Sequence, residues 1–285
     1  MSFKNYLKKS AIGLSMLALT ACATTPKIVD TTPKSPNKGI YKYGKMYSMV
    51  ICGDKEDKFV EQAKDAYKEF KNLGVSDEDI HFLAPEEVGD LEGIVDDSAF
   101  KWNVVLQLIA IKNKITENDV FFFYYIDHGM RARIIDGTKG TDVQESAITF
   151  PYPGSEEYKD WIYVSELEGL VKDMDSKVSV FLIDACYSGG FSKMAKGEKI
   201  IVATVDENNL SFKASQFSKH FMRALNYRFE ADKNDDTTIS IKEAFEYATK
   251  KDVYSRGPNS IWRWFFPRPE LSYDQIDPDK VFLKK

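Results

Sequence analysis

The chain has 285 residues, enough for one large domain or two small ones. Its 43% hydrophobic and 29% charged content is that of an ordinary water-soluble globular protein. A formal net charge of −5, with no basic stripe carrying interleaved aromatics, excludes a nucleic-acid partner as the working expectation.

Residues 1–21 are predicted to lie outside the fold as a signal peptide. Lys4, Lys8 and Lys9 precede an apolar stretch from Ala11 to Leu19, and Thr20-Ala21-Cys22 follows. A basic head, a short apolar middle and small residues at the cut form a secretory signal. The apolar stretch is too short to cross a bilayer as a helix. Leu19-Thr20-Ala21-Cys22 resembles a bacterial lipobox, which implies lipidation of Cys22, a membrane partner through that lipid, and residence in the bacterial cell envelope, on its periplasmic or surface side. A plain signal peptide cut nearby is the alternative. Residues 22–42, rich in Thr, Pro, Lys and Ser, read as the lipidated N-terminus and a flexible tether. Residues 43–285 then form the folded domain.

From Met46 onward the pattern alternates strand with helix. Strands are predicted at Met46–Cys52, Ile80–Leu83, Asp119–Ile126, Val178–Ile183 and Lys199–Val205. Helices are predicted at Lys58–Leu73, which Gly74 would terminate, at Phe100–Ile115, and near Val164–Met174, Gln216–Phe229 and Ile241–Val253. The segment from Met130 to Pro153 is polar and hairpin-prone. Alternation of this kind implies an α/β domain with a mostly parallel central sheet in three α/β/α layers. The near-continuous apolar run Val120–Ile126 suits a strand covered on both faces. In such sheets, sites form beyond the carboxyl ends of the strands.

Two strand ends carry reactive groups. Asp127-His128-Gly129 follows one apolar run, and Asp184-Ala185-Cys186-Tyr187-Ser188-Gly189-Gly190 follows another. A thiol becomes a nucleophile when a base takes its proton, and imidazole is the usual base. His128 is set apart from His81, inside a short apolar strand, and from His220, on a predicted helix, because a glycine follows it at a strand end. Free cysteine is commonly a small buried hydrophobe, but the turn residues after Cys186 put its thiol at a strand-to-loop corner. A Cys52–Cys186 disulfide would consume this nucleophile and is not expected. No CxxC pair is present, which argues against a cysteine-rich zinc site.

Together these motifs resemble the caspase–legumain superfamily of cysteine peptidases (clan CD), in which a His-Gly after one strand and an acid-or-Gln-Ala-Cys after the next form a catalytic dyad. Asp127-His128-Gly129 brings the chain closest to the legumain-like C13 branch. More weakly, Asp65-Ala66-Tyr67, Asn72-Leu73-Gly74-Val75 and Asp77-Glu78-Asp79-Ile80 resemble its first helix and second strand. The resemblance spans roughly residues 46–225. It implies a caspase-like fold and a cysteine endopeptidase, acting on protein or peptide, that needs no cofactor for catalysis. Cys186 would be the nucleophile, His128 the base, and the N–H groups of Gly129 and Cys186 the oxyanion hole. Asp184, two residues before the nucleophile, would line the S1 pocket and favour Arg, Lys or Asn at P1; a structural carboxylate capping backbone N–H groups is its alternative. Legumains place an asparagine after the first strand to steady the histidine. Cys52-Gly53-Asp54-Lys55 stands here instead, so a dyad is expected rather than a triad. A catalytically inactive binding module on the same fold, or a transpeptidase using the same dyad, are the competing readings.

The twelve residues Asp232–Glu243 match an EF-hand loop at six positions. They supply Asp232, Asn234, Asp236, the Thr238 carbonyl, Ser240 and Glu243 as candidate Ca2+ ligands. Thr237 stands where glycine makes the sharp turn, and a helix-capping acidic turn is the other reading. The aromatic cluster Ile261-Trp262-Arg263-Trp264-Phe265-Phe266-Pro267 is expected to close the core, with a substrate or membrane-surface contact as the alternative.

Overall fold

The computed structural model describes residues 27–30, 43–89, 91, 93–136, 141–152, 158–211, 215–226, 229–253 and 268–283. The signal-like segment with Cys22 and the 261–267 aromatic cluster lie outside these residues.

An eight-stranded sheet runs through the domain in the order β1-β11-β10-β9-β5-β2-β3-β4. Its centre consists of β2 (Met46–Cys52), β5 (Val120–Ile126) and β9 (Val178–Asp184), parallel to one another and buried along their whole length. β3 (Ile80–Ala84) and β4 (Asp97–Ser98) extend it in parallel on one side, and β10 (Lys199–Ala203) on the other. β11 (Glu270–Tyr273) reverses the direction, pairing antiparallel with β10.

The apolar runs make sense because successive strand residues point to opposite faces. Val120, Phe122, Tyr124 and Ile126 join one core with Val50, Cys52 and the helices α1 (Asp57–Asn72), α4 (Phe217–Leu225) and α5 (Ile241–Lys251). Phe121, Phe123 and Tyr125 join a second core with Met49, Ile51 and the helices α2 (Lys101–Lys112) and α3 (Val164–Val171). This is the three-layer α/β/α, caspase-like arrangement expected from the sequence, with both sheet faces covered. Among the described residues, no helix is long and apolar enough to cross a membrane.

Three segments depart from the sequence expectations. Lys27–Asp30, read as flexible tether, forms β1 and pairs parallel with β11. Four residues between Thr/Pro-rich stretches carry no readable period, and only β11 supplies their hydrogen-bonding edge. β11 itself is too short to stand out in sequence. The hairpin-prone segment is a separate antiparallel sheet of β6 (Gly129–Asp136), β7 (Thr141–Pro151) and β8 (Tyr158–Tyr163), so it extends further than Pro153. The turn residues after Cys186 open into a 3-10 segment, Ser188–Met194, whose Phe191 and Met194 are buried.

Candidate active site

Register brings the two motifs together. β5 and β9 are hydrogen-bonded neighbours with Ile126 opposite Asp184. His128 and Cys186 each follow two residues beyond that pair, at the carboxyl edge of the sheet. Gly129 seals the approach: a Cβ there would stand 2.2 Å from the Cys186 carbonyl oxygen and 3.0 Å from Ala185 Cβ. No other residue fits between the strand ends.

The thiol of Cys186 is partly exposed and free, and that of Cys52 is free and fully buried. Burial pushes the Cys186 thiol above its ordinary range, while the backbone N–H groups of Ser211, Gly129 and Cys186 pull it back. The Ser211 N–H donates to Sγ at 3.3 Å. Donors therefore converge on the sulfur from the start of β6, from the nucleophile itself and from the segment after β10. Tyr187, next in sequence, holds a left-handed backbone (φ 59°, ψ 20°), and its N–H donates to the Asn209 carbonyl at 2.8 Å. A non-glycine residue in that region costs about 1–2 kcal/mol, an outlay that clusters at functional corners.

His128 is held from three directions. Its Nε2 lies 3.3 Å from Asp54 Oδ2 and 4.0 Å from Asp127 Oδ1. Its ring meets Phe59 edge-on at 5.7 Å. Its carbonyl lies 2.8 Å from the buried Tyr125 hydroxyl, which is also 2.7 Å from the Thr149 carbonyl and accepts the Thr149 N–H at 3.1 Å. Thr149 Oγ1 donates to the same His128 carbonyl at 3.1 Å. Tyr125, one residue before the end of β5, thus ties the histidine to β7.

Asp54 was not among the site residues expected from sequence, where the resemblance implies an asparagine after the first strand. The position after β2 is filled by a carboxylate of similar size. Asp54 Oδ1 accepts the Glu56 N–H at 2.7 Å at the entry to α1, and its carbonyl accepts the Cys52 thiol at 3.1 Å. Its side chain is 13% exposed, against 40% for His128. The signal available in sequence was an acid two residues past the first strand; that this strand neighbours β5, which leads to His128, comes from the sheet order.

Asp127 is buried, and Gly53 makes the room for it: a Cβ at Gly53 would fall 2.1 Å from Asp127 Oδ2. Gly53→Ala is therefore expected to destabilise the fold by about 1–3 kcal/mol through overpacking. Thermal unfolding of the variant checks this; an unchanged Tm would show that Asp127 is not locked there. Among the described residues, Asp54, Asp127 and His128 are the grouping whose ligand-type atoms all lie within 4.8 Å of one another.

Asp184 lies on the side of β9 that faces α1 and α4. It accepts from Thr204 Oγ1 at 3.1 Å and from Ser218 Oγ in a short hydrogen bond. Burial pushes its carboxyl up, and the Ser218 hydroxyl, the Lys58 ammonium and the Thr204 hydroxyl draw it down. Ser218 Oγ also lies 3.1 Å from Gln62 Oε1 and accepts the Tyr124 hydroxyl at 3.2 Å. The carboxylate is hydroxyl-bonded rather than capping backbone N–H groups through either of these contacts.

His81 lies within β3 and His220 on α4 against Tyr247, and burial lowers the pKa of both. The 232–243 loop has Asp235 and Thr237 in the left-handed region, with φ of 57° and 68°. Asp232 accepts the N–H groups of Asp236 at 3.2 Å and Thr237 at 2.9 Å. Glu243 closes a capping box with Ser240 and accepts the Lys233 N–H at 3.1 Å. α4 ends at Leu225, short of Asp232, so the entering helix does not run into the loop.

A caspase-like sheet with a thiol and an imidazole at adjoining strand ends defines a class of hydrolase, the cysteine peptidases of that fold. The family model of the peptidase C13 family matches residues 109–259, a span that contains both motifs, and the chain belongs to that family. It is accordingly a cysteine peptidase whose substrate class is protein or peptide. No curated protein matches the sequence. A crystal structure of a protein from Geobacter sulfurreducens is similar in fold, with a TM-score of 0.53 at 13% identity, covering 85% of this chain and 97% of that one.

Proposed function

We propose that the protein is an endopeptidase that cleaves through a thioester acyl-enzyme, with Cys186 as nucleophile and His128 as base. The observation that carries this reading is the meeting of the two strand ends, with the N–H groups of Gly129 and Cys186 acting on the sulfur. With Nε2–H turned to Asp54, Nδ1 is the nitrogen that takes the thiol proton. Sγ attacks the scissile carbonyl, and the oxyanion that forms beside it is held by Gly129 and Cys186 N–H. His128 gives the proton to the leaving amine, and water then hydrolyses the thioester with His128 again as base. An amine in place of water would give transpeptidation by the same groups. The test is turnover of a peptide panel with Arg, Lys, Asn or Asp at P1. An inactive binding module would leave every peptide uncut.

Asp184 is proposed as the acid beneath the P1 side chain. Lys58, the first residues of α1 being close by, shares its field, and this keeps a neutral Asn alongside Arg and Lys as an acceptable P1 group. Asp184→Asn is expected to lower kcat/KM for Arg and Lys peptides by about 10-fold or more while changing Asn peptides less, since only the cations lose an opposite charge. Equal losses across the panel would assign Asp184 to structure alone.

Residues 232–243 are proposed to hold a structural Ca2+ through Asp232, Asn234, Asp236, Thr238, Ser240 and Glu243. The support is the left-handed Thr237 at the loop's tight turn and the folding of the loop around Asp232. Saturating Ca2+ at roughly 100 times Kd would add about 2.7 kcal/mol, seen as a rise in Tm that EDTA reverses. A Tm indifferent to both would leave the loop as a helix cap. Lipidation of Cys22 in the cell envelope, with residues 22–42 leading to the domain at 43–285, is proposed on the sequence motif.

A further inference from the structure

The direction of β1 bears on where the site sits relative to the lipid. Lys27 pairs with Glu270, Glu270 with Ala203, and Ala203 with Ile183. Lys27, the first residue of β1, therefore stands at the level of Ile183, one residue before Asp184 and three before Cys186. Because β11 reverses the sheet and β1 runs parallel to β11, the chain enters β1 at the edge that carries Cys186 and His128. Had β1 run the other way, the length of the sheet would separate the entry point from the site.

The spacings are short. From β9 to β1 there are three interstrand steps of about 4.8 Å each. From Cys22 to Lys27 there are five residues, which span at most about 17 Å. A 20-residue flexible tether, as the composition alone implies, would let the site roam several times further. Pairing of β1 withdraws most of that length and anchors the remainder beside the site. Next to the nucleophile, the segment that supplies Asn209 and Ser211 also presents Leu210, 60% exposed, at this same edge.

We propose that pairing of β1 with β11 holds the active-site edge within roughly 30 Å of the bilayer, so that the substrates are membrane-proximal peptide segments of other anchored proteins. This rests on the peptidase reading of Cys186 and His128 and on acylation of Cys22. The test uses the full-length acylated protein in phospholipid vesicles. One cleavable sequence, first established on a soluble peptide, is presented on lipid-anchored polyproline spacers of roughly 20 Å and roughly 80 Å, at about 3.1 Å per residue. Turnover of the near sequence is expected to exceed that of the far one by about 10-fold or more. A flexible Gly/Ser insert of about 30 residues between Pro26 and Lys27 should level the two, while the soluble peptide is cut equally by both proteins. Equal turnover at both distances by the wild-type chain overturns the proposal. So does either foundation failing, and the two are distinguishable: an uncut soluble peptide removes the peptidase, and an intact mass without acyl chains removes the anchor.

Discussion

Cys186→Ala is expected to abolish peptide turnover, by about 10^4-fold or more, and to leave Tm unchanged. The magnitude follows from the role: without the sulfur no acyl-enzyme forms, and the remaining groups can only polarise a carbonyl for water. Stability is spared because the thiol sits at a partly exposed corner, where alanine loses little buried surface. Turnover that persists in the variant would remove Cys186 from the chemistry. The wild-type thiol also has a pH signature. Burial holds it above its ordinary range, so the resting group is protonated near neutrality and His128 must take the proton as attack occurs. Iodoacetamide alkylation of the resting enzyme should therefore accelerate as pH rises into the alkaline range, with Cys186→Ala as the blank. A rate already at its plateau at neutral pH would instead point to a thiolate formed in advance.

Asp54→Ala is expected to lower kcat by about 10- to 100-fold with KM little changed. Asp54 does not touch the reacting atoms; it is a positioning residue that works through His128 Nε2 at 3.3 Å. Losing it loosens the ring, with Asp127, Phe59 and the ties of Tyr125 and Thr149 to the His128 carbonyl among its other supports. Asp54→Asn keeps the shape and an acceptor oxygen and should recover much of the loss. That rescue separates positioning from general damage to the start of α1, where Asp54 also accepts the Glu56 N–H. Equal defects in Ala and Asn variants, or a KM effect in place of kcat, would refute the assignment. A carboxylate rather than an amide against the imidazole also stabilises the imidazolium that forms when the thiol proton is taken.

Much of this was readable in the chain itself. The runs Val120–Ile126 and Val178–Asp184 announce strands covered on both faces, because residues pointing to opposite layers are equally apolar. His128-Gly129 and Cys186 stand out because local turn chemistry frees each group at a strand end. Asp54 was harder to find. Its local sequence marks it only as an acid two residues past the first strand, with Glu56 and Asp57 close behind, and its partner is 74 positions away, beyond a different strand. β1 and β11 were harder still, since each is four residues long and becomes a strand only by pairing with an edge that the other elements build.

The amino-acid sequence by itself therefore determined the layered class of the fold, through periodicity, and pointed to the two groups proposed for the chemistry through short motifs of contiguous residues that resemble the family it belongs to. Tertiary structure alone decided which acid meets the imidazole, that Asp184 turns to Thr204 and Ser218, and at which edge of the sheet the N-terminal segment arrives. The physical reason is range. Period and turn chemistry act over a few residues, whereas an ion pair, a buried hydroxyl contact or a strand direction depends on which distant segments the packed sheet makes neighbours.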